Sequence, residues 1–503
     1  VKQLIHNGVL VPRYEWKRLH ISVGGRRIDL SPGQEEMAVA WVRKLGTDYA
    51  GDRVFVRNFF RDFCRALGVD EKTPPEDFDF SAVQEYVQRE RNRALALSRE
   101  EKKRLAELRR AAREAQRERF GYAIVDGVRM ELGNYVVEPS CIFMGRGKHP
   151  LRGRWKQGPA EGDIILNLSP DAPVPEGNWK AVVRQPDAMW IAQWRDRLGG
   201  RMKYVWLSES STLKQMADIK KFDTARELES RIDDVRRHIW ESLQSPDALR
   251  RKIATVCYLI DVLKVRVGDE KDRDELDTVG ATTLRPSHVQ IGPEGLATFD
   301  FLGKDAVRWR KEVRLPGLVA ENLQESMSEA QSSIFNGVRS KNVSLFLDEA
   351  MPGLTAKVFR TYHASKTVRE FLRGAEVSPS DPGYAKKHVA TMANLQAAIV
   401  CNHKKKPRKG WRESLARRMD QLQRLRSKKG TKRNREAVKK LQLTIQAMRA
   451  TRDYNLGSSL KSYIDPRTYY EWGRRVDYDW KLYYPKTLQR KFSWVEPQGA
   501  EGT

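Results

Sequence analysis

Cysteine is scarce: Cys64, Cys141, Cys257 and Cys401 are the only four among 503 residues. They form no Cys-x-x-Cys pair, and their wide spacing argues against both a zinc site and a disulfide framework. Cys401-Asn402-His403 is too tight for a zinc-ligand pair, so buried free thiols are expected. Long apolar runs are missing too. No stretch approaches the roughly 20 apolar residues of a spanning helix. The opening Val1-Lys2-Gln3-Leu4-Ile5-His6 lacks the apolar core of a signal peptide. An intracellular protein without a membrane partner is therefore expected. Nucleotide and metal motifs are absent as well. There is no Gly-x-x-x-x-Gly-Lys-Ser/Thr, no His-Glu-x-x-His and no acidic cluster of metal-ligand type. A nuclease or ligase that depends on Mg²⁺ or ATP is disfavoured, and neither a metal nor a small-molecule cofactor is expected.

Acidic residues are in short supply. Against 93 Lys+Arg stand 66 Asp+Glu, a formal charge of +27. Such an excess implies a polyanionic partner, with DNA or RNA the default. A single core rarely grows past roughly 250–300 residues, so two or more domains are expected.

What is present changes along the chain. Residues 81–119 read as almost continuous charged helix, with Ser98-Arg99-Glu100-Glu101 as a capping box. Either a solvated projecting arm or a DNA-facing arm fits. Ala123-Ile124-Val125 and Val128-Arg129-Met130 flank Asp126-Gly127 as a two-residue hairpin. Residues 145–156 are glycine-rich and basic, a composition that lets backbone approach a phosphate. Residues 212–403 read as mainly helical, interrupted by a hairpin at 296–314 whose turn holds Lys304. Between 404 and 440 there are 17 Lys+Arg against Glu413, Asp420 and Glu436. Leu415, Met419 and Leu422 make one heptad seam, and Val438, Leu441, Ile445 and Met448 another. Lys428-Lys429-Gly430-Thr431 breaks the helix between them, which predicts an antiparallel helical hairpin. The last 50 residues are rich in aromatics.

With metal and nucleotide chemistry disfavoured, phosphoryl transfer by a side-chain nucleophile remains. It needs a nucleophile, cations around the transition state and an acid for the leaving oxygen. Arginine suits the second task, being always charged and able to grip two phosphate oxygens. Tyrosine suits the first, because a phenolate leaves more readily than an alkoxide and the ester stays reversible.

Six segments, in order, give this chemistry an address. They are Lys264-Val265-Arg266-Val267-Gly268-Asp269-Glu270-Lys271; Asp277-Thr278-Val279-Gly280; Phe299-Asp300-Phe301-Leu302-Gly303-Lys304-Asp305; Gly353-Leu354-Thr355-Ala356-Lys357-Val358-Phe359-Arg360-Thr361-Tyr362; Cys401-Asn402-His403; and Ser462-Tyr463-Ile464-Asp465-Pro466-Arg467. Through them the chain resembles, nearly end to end, the eukaryotic-type DNA topoisomerase I (type IB) family. The resemblance implies that Tyr463 attacks the scissile phosphate and stays joined to its 3′ end. Arg266 and Arg360 would hold the non-bridging oxygens, and His403 would hydrogen-bond to the same phosphate. Lys304 would protonate the leaving 5′-oxygen. Arg146, Lys156 and Lys203 fall at family positions that contact DNA, with Asp305 and Asn402 as second-tier candidates. Taken singly, each has a plainer reading: Arg266 an exposed helix-end arginine, Lys304 a solvated turn lysine, Arg360 a salt-bridge partner, His403 a helix cap and Tyr463 a packing aromatic.

Three departures stand out. Against the family pattern, no long charged N-terminal extension is expected, Ser462 stands where an asparagine usually precedes the nucleophile, and the 404–452 segment is shorter than in animal members. These put nuclear targeting and sensitivity to camptothecin-type poisons in doubt.

The expected fold is a multidomain α+β clamp with two lobes, working as a monomer on supercoiled double-stranded DNA. A mixed α/β cap would occupy 1–211 and a mainly helical catalytic domain of the tyrosine recombinase/type IB kind 212–406. A basic antiparallel helical-hairpin linker at 407–452 and a small helical C-terminal domain at 453–503 would follow. The expected activity is relaxation of supercoils through a 3′-phosphotyrosyl intermediate, with the protein chromosome-associated in nucleoid or nucleus. A tyrosine site-specific recombinase and a non-enzymatic chromatin-binding protein are the alternatives.

Overall fold

The computed structural model describes residues 1–145, 149–268, 279–303, 307–408, 410–428 and 430–496. The chain divides into two compact units, residues 1–214 and 215–503.

The first unit opens with β1 (Leu4–His6), then β2 (His20–Val23) and β3 (Arg26–Asp29), which form a hairpin. Helix α1 (Pro32–Val42) buries residues around much of its circumference, Glu35 among them, whereas in α2 (Arg53–Leu67) the apolar side chains share one face. Asp52 caps α2 by accepting the Val54 and Phe55 N–H groups, satisfying two donors that a helix start leaves open. Phe55, Phe59, Phe60 and Phe63 then recur at helical spacing and are buried with Trp41. Trp41 stacks on Phe59 at 4.8 Å. Each such ring contributes about 2–3 kcal/mol by leaving water.

After β4 (Phe78–Asp79) come α3 (Ser81–Ala96) and α4 (Arg99–Phe120). The expected charged helix is thus two, joined at Leu97-Ser98, with the Ser98–Glu101 capping box in place. Only Val83 is buried in α3 and nothing in α4, so tertiary packing adds little to either. The hairpin β5 (Tyr122–Val125) and β6 (Val128–Glu131) turns at Asp126-Gly127, both at positive φ. β5 also pairs with β1. The short β7 (Cys141–Ile142) and β8 (Trp155–Lys156) pair with each other. Strands β9 (Ile165–Asn167), β10 (Ala181–Val183), β11 (Trp190–Arg195) and β12 (Met202–Trp206) form a sheet in the order β10-β9-β11-β12.

The second unit has two apolar cores. The first gathers α5 (Thr212–Ser242), which begins at the boundary, α6 (Ala248–Leu263), the sheet β13 (Val289–Ile291), β14 (Leu296–Gly303) and β15 (Val307–Arg314), then α7 (Gly317–Ser328), α8 (Ser340–Ala350) and the first half of α9 (Ala356–Gly374). The hairpin expected at 296–314 is β14–β15, in register from Leu296↔Arg314 to Gly303↔Val307. The second core joins the later half of α9 and α10 (Gly383–Val400) to the aromatic C-terminal residues.

Between them lie α11 (Trp411–Arg426) and α12 (Lys432–Ala450), which pack on each other. Thr431, the last residue of the predicted break, caps α12. The two seams are unequal. No α11 residue is buried, whereas Leu441 and Ile445 of α12 are, and α12 also packs against α10. The short α13 (Leu456–Ser462), α14 (Pro466–Arg475) and α15 (Lys486–Lys491) complete the chain. Tyr469, Trp472, Trp480, Tyr484 and Phe492 share their core with Phe222 of α5 and with Ala364 and Val368 of α9. α9 therefore crosses both cores, with Phe359 in one and Ala364 in the other, and Arg360 stands at the crossing.

Among the described residues, no helix is long and apolar enough to cross a membrane, and no three His, Cys, Asp or Glu side chains converge as metal ligands. The four cysteines are free, and all but Cys141 are buried.

Candidate active site

Two helix ends of the same kind aim residues into the second unit's cavity. α6 ends at Lys264, with φ +60°, and the chain turns out to Val265 and Arg266. α10 ends similarly, with Asn402 at φ +51° and the His403 N–H bonded to the Ala398 carbonyl at 2.8 Å. Asparagine tolerates this left-handed conformation better than most residues, which accounts for Asn402 before His403.

The backbone at Arg266 is held by the residues that follow Gly280. The Arg266 carbonyl accepts the Ala281 N–H at 2.8 Å, and the Val267 carbonyl accepts that of Thr282 at 2.7 Å. A Cβ on Gly280 would lie 2.4 Å from the Gly268 Cα and 2.7 Å from the Arg266 oxygen. Only glycine permits that approach, so this motif serves the arginine.

The cavity has a volume of about 470 Å³. Arg266, Arg360, Asn402, His403 and Tyr463 all line it, together with Val265, Phe301, Trp309, Lys461 and Ser462. Phe301 stacks on Trp309 at 5.0 Å. Gly303 and Val307, which flank the β14–β15 turn, also line the cavity; Lys304 and Asp305 lie outside the described residues.

Arg360 is 6% exposed. Its Nη2 donates to the Cys401 carbonyl at 2.8 Å and lies 3.4 Å from His403 Nε2. Its guanidinium sits 4.9 Å from the centre of the Tyr463 ring, a favourable cation–π arrangement. Its Nε is buried without a hydrogen-bond partner. The plainer expectation of a salt bridge therefore fails: no carboxylate pairs with Arg360 among the described residues. A buried donor without an acceptor costs free energy.

His403 lies 5.1 Å from the Tyr463 ring, centre to centre. Burial, followed by the charges of Arg360 and Arg266, pushes its pKa down to about 3. The imidazole is therefore neutral at ordinary pH and acts as a hydrogen-bond donor or acceptor, not as a cation.

Tyr463 ends α13, its N–H bonded to the Ser459 carbonyl at 2.9 Å. The following Asp-Pro-Arg is architectural. Asp465 caps α14, Pro466 takes the first helical position, and Arg467 Nε returns to Asp465 at 3.0 Å; each choice suits its place. Ser365 on α9 closes the loop from the other side. Its hydroxyl donates to the Tyr463 carbonyl at 3.1 Å and accepts the Asp465 N–H at 2.9 Å.

Sequence reasoning missed Ser459, Ser365 and Lys461. Ser459 was findable, since it lies four residues before Tyr463 and so on the same helical face. Missed too was the pair Asp261–His363, at 2.7 Å, which ties α6 to α9. Arg236 also holds Asp261, at 2.8 Å.

Lys156 and Lys203, two of the DNA-contact candidates, belong to the first unit. Lys156 is ion-paired with Glu138 and, at 2.7 Å, with Asp196; Lys203 approaches the same Glu138 at 3.8 Å. Arg146 lies outside the described residues.

Residues 1–207 match the DNA binding fragment of eukaryotic DNA topoisomerase I, residues 210–441 its catalytic core and residues 435–501 the C-terminal topoisomerase domain. The chain is 33% identical over 525 residues to DNA topoisomerase 1 of Drosophila melanogaster, covering 98% of this chain and 54% of that protein. It is 32% identical to DNA topoisomerase 1 beta of Arabidopsis thaliana, covering 99% and 59%. With the mitochondrial DNA topoisomerase I of Homo sapiens the identity is 33%, covering 99% and 90%. The chain thus spans little more than half the length of the first two and most of the third. With all three segments matched in order and a relative aligned over nearly its whole length, the chain belongs to the eukaryotic DNA topoisomerase I family.

Proposed function

We propose that the chain is a type IB DNA topoisomerase, relaxing positive and negative supercoils without ATP or metal. The observation that carries this reading is the meeting of Tyr463, Arg266, Arg360 and His403, from separate parts of the chain, around one cavity. The surplus of donors there, with Arg360 Nε unpartnered, suits a phosphodiester.

The Tyr463 hydroxyl gives its proton to water and attacks the phosphorus, a phosphotyrosyl bond forms at the 3′ end, and the bond to the 5′-oxygen breaks. Lys304, between the cavity-lining Gly303 and Val307, gives that oxygen its proton. Arg266 and Arg360 take up charge on the non-bridging oxygens, and His403 donates to one of them. Asn402 and Asp305 support the site. One ester replaces another, so resealing is the same step in reverse. Torsional strain in the DNA drives rotation of the cut strand.

In this reading the protein works as a monomeric clamp on chromosomal DNA. The cap at 1–211 supplies Arg146, Lys156 and Lys203 as DNA contacts. The basic α11–α12 segment links the catalytic domain at 212–406 to the residues from 453 that deliver Tyr463.

The test is relaxation of a random-sequence plasmid in EDTA without nucleotide. Wild-type protein relaxes it, while Tyr463→Phe does not and still binds DNA. On a suicide substrate, the trapped covalent adduct maps to Tyr463 at a 3′ end. A strict need for Mg²⁺ or ATP, or full relaxation by Tyr463→Phe, would refute the mechanism.

A further inference from the structure

Ser459 is fully buried, and its hydroxyl lies 2.7 Å from His403 Nδ1. Its carbonyl accepts the N–H groups of Tyr463, at 2.9 Å, and Ile464, at 3.1 Å. One residue thus touches both the histidine and the nucleophile's backbone. We propose that Ser459 is a positioning residue that locks His403 in the tautomer with its proton on Nε2, aimed into the cavity. This rests on the proposed role of His403 as a donor to the scissile phosphate.

The direction of the hydrogen bond follows from what each atom needs. A buried hydroxyl must find an acceptor for its hydrogen. Among the described residues, the acceptor that the Ser459 hydroxyl meets is His403 Nδ1. Were Nδ1 protonated, the serine hydrogen would be buried with nowhere to go. With Ser459 donating to Nδ1, a neutral imidazole must carry its proton on Nε2.

The other face of the ring agrees. Nε2 is 3.4 Å from Arg360 Nη2, a long contact, while the same Nη2 donates to the Cys401 carbonyl at 2.8 Å. Two donors facing one another at that distance do not bond. Both gain when a shared oxygen arrives, and a non-bridging phosphate oxygen supplies the lone pairs. The opposite tautomer would offer a lone pair to the substrate anion and repel it. The loop carbonyl of His403 is fixed as well, accepting the Asn455 N–H at 2.6 Å, so Ser459 sets the proton while the backbone sets the ring.

The test uses full-length protein with ¹⁵N-labelled histidine. Nitrogen shifts in DNA-free protein read the tautomer, and His403→Gln identifies the signal among the eight histidines. Wild type is expected to carry the proton on Nε2. Ser459→Ala is expected to mix the tautomers and slow single-turnover cleavage of a suicide substrate by roughly 10–100-fold, with unchanged DNA affinity and a thermal midpoint lowered by only a few degrees. Ser459→Cys, a weaker donor of similar size, is expected to fall between. A wild-type proton on Nδ1 would overturn the proposal. So would Ser459→Ala with an unmoved tautomer, even if slow, or with wild-type cleavage. The nitrogen shifts involve no DNA and no turnover, so they stand apart from the Tyr463→Phe test: failure of one leaves the other readable.

Discussion

Each unit buries a histidine that it keeps neutral, and the two differ at one nitrogen. In the first unit His6 Nδ1 accepts the Gly8 N–H at 3.0 Å, and Nε2 meets the Asn167 carbonyl at 2.9 Å. Both nitrogens are satisfied by backbone, and the ring is a strut between β1 and β9. In the second unit His403 is satisfied at Nδ1 by Ser459, but Nε2 faces the cavity and another donor. Burial pushes both pKa values down, to about 4 and about 3. Burial and neutrality therefore do not separate a structural histidine from one proposed to meet the substrate. The unmet hydrogen-bonding capacity does.

The same contrast holds for the cations. Lys156 of the first unit already has two carboxylates, Glu138 and Asp196. Arg360 has none among the described residues and keeps a bare Nε. In the proposed reading, a cation with its own anion belongs to the fold, while one without is available to an anion from outside.

The largest test of that contrast is Arg360→Gln. If its charge meets the transition state as proposed, the loss is expected to cut single-turnover cleavage by about 10²–10³-fold, or about 2.7–4 kcal/mol. The thermal midpoint should hold or rise, because an unpaired buried guanidinium costs desolvation. A midpoint lowered by several degrees would make Arg360 a structural residue and erase the distinction. His6→Ala is the mirror image. Two buried hydrogen bonds and a packed ring are lost, for about 3 kcal/mol of stability, while cleavage by the remaining folded protein is unchanged. Slower cleavage at full folding would show that the first unit's strut reaches the chemistry.

How far the sequence reveals this contrast depends on the kind of feature. The hairpin at 296–314, the Ser98 capping box and the break near Lys428 are local, written in alternation, cap residues and glycine, and each is found in place. Tyr463, Arg266, Arg360 and His403 were identified through the resemblance, since nothing local distinguishes them from ordinary surface or core residues. Their meeting around one cavity is a tertiary fact. What stayed hidden was the support. Ser365 and Ser459 are small polar residues whose value lies in what faces them across 98 and 56 residues of chain. The aromatic C-terminal stretch reads as a small domain, but its partners, Phe222, Ala364 and Val368, come from helices far back in the chain and are not legible in it.

Acid titration tests the shared property of the two histidines. Each folded-state pKa lies below the ordinary value of 6.5, so the unfolded chain binds the proton more readily. The stability that each neutral ring contributes is fully present above about pH 6.5. It is lost as pH falls toward about 4 for His6 and about 3 for His403, at up to about 1.4 kcal/mol per pH unit each. Between pH 6.5 and 5 each should therefore contribute about 2 kcal/mol of loss. His403→Gln removes one such slope and His6→Gln the other, measurable by chemical denaturation across that range. A variant that keeps the full wild-type slope would show that its histidine is already charged in the folded protein.

The smallest expected effects distinguish the two lysines that share Glu138. Lys156 is held on both sides and Asp196 beside it is 8% exposed; backbone N–H groups of Gly199 and Leu198, with Lys156, keep the Asp196 carboxyl below its usual range against the cost of burial. Lys156→Gln strips a buried carboxylate of its partner and should lower stability by about 1–3 kcal/mol. Lys203 is more exposed and stands 3.8 Å from Glu138, so Lys203→Gln should alter stability by less than about 0.5 kcal/mol. If both lysines turn to phosphates when DNA binds, each substitution lowers the slope of log K against log[salt] by about 0.9. If Lys156 stays with its carboxylates, only the Lys203 slope changes. Equal stability loss from both substitutions would mean that the ion-pair cluster is a single structural unit, and that counting carboxylates around a cation does not predict which one is available to DNA.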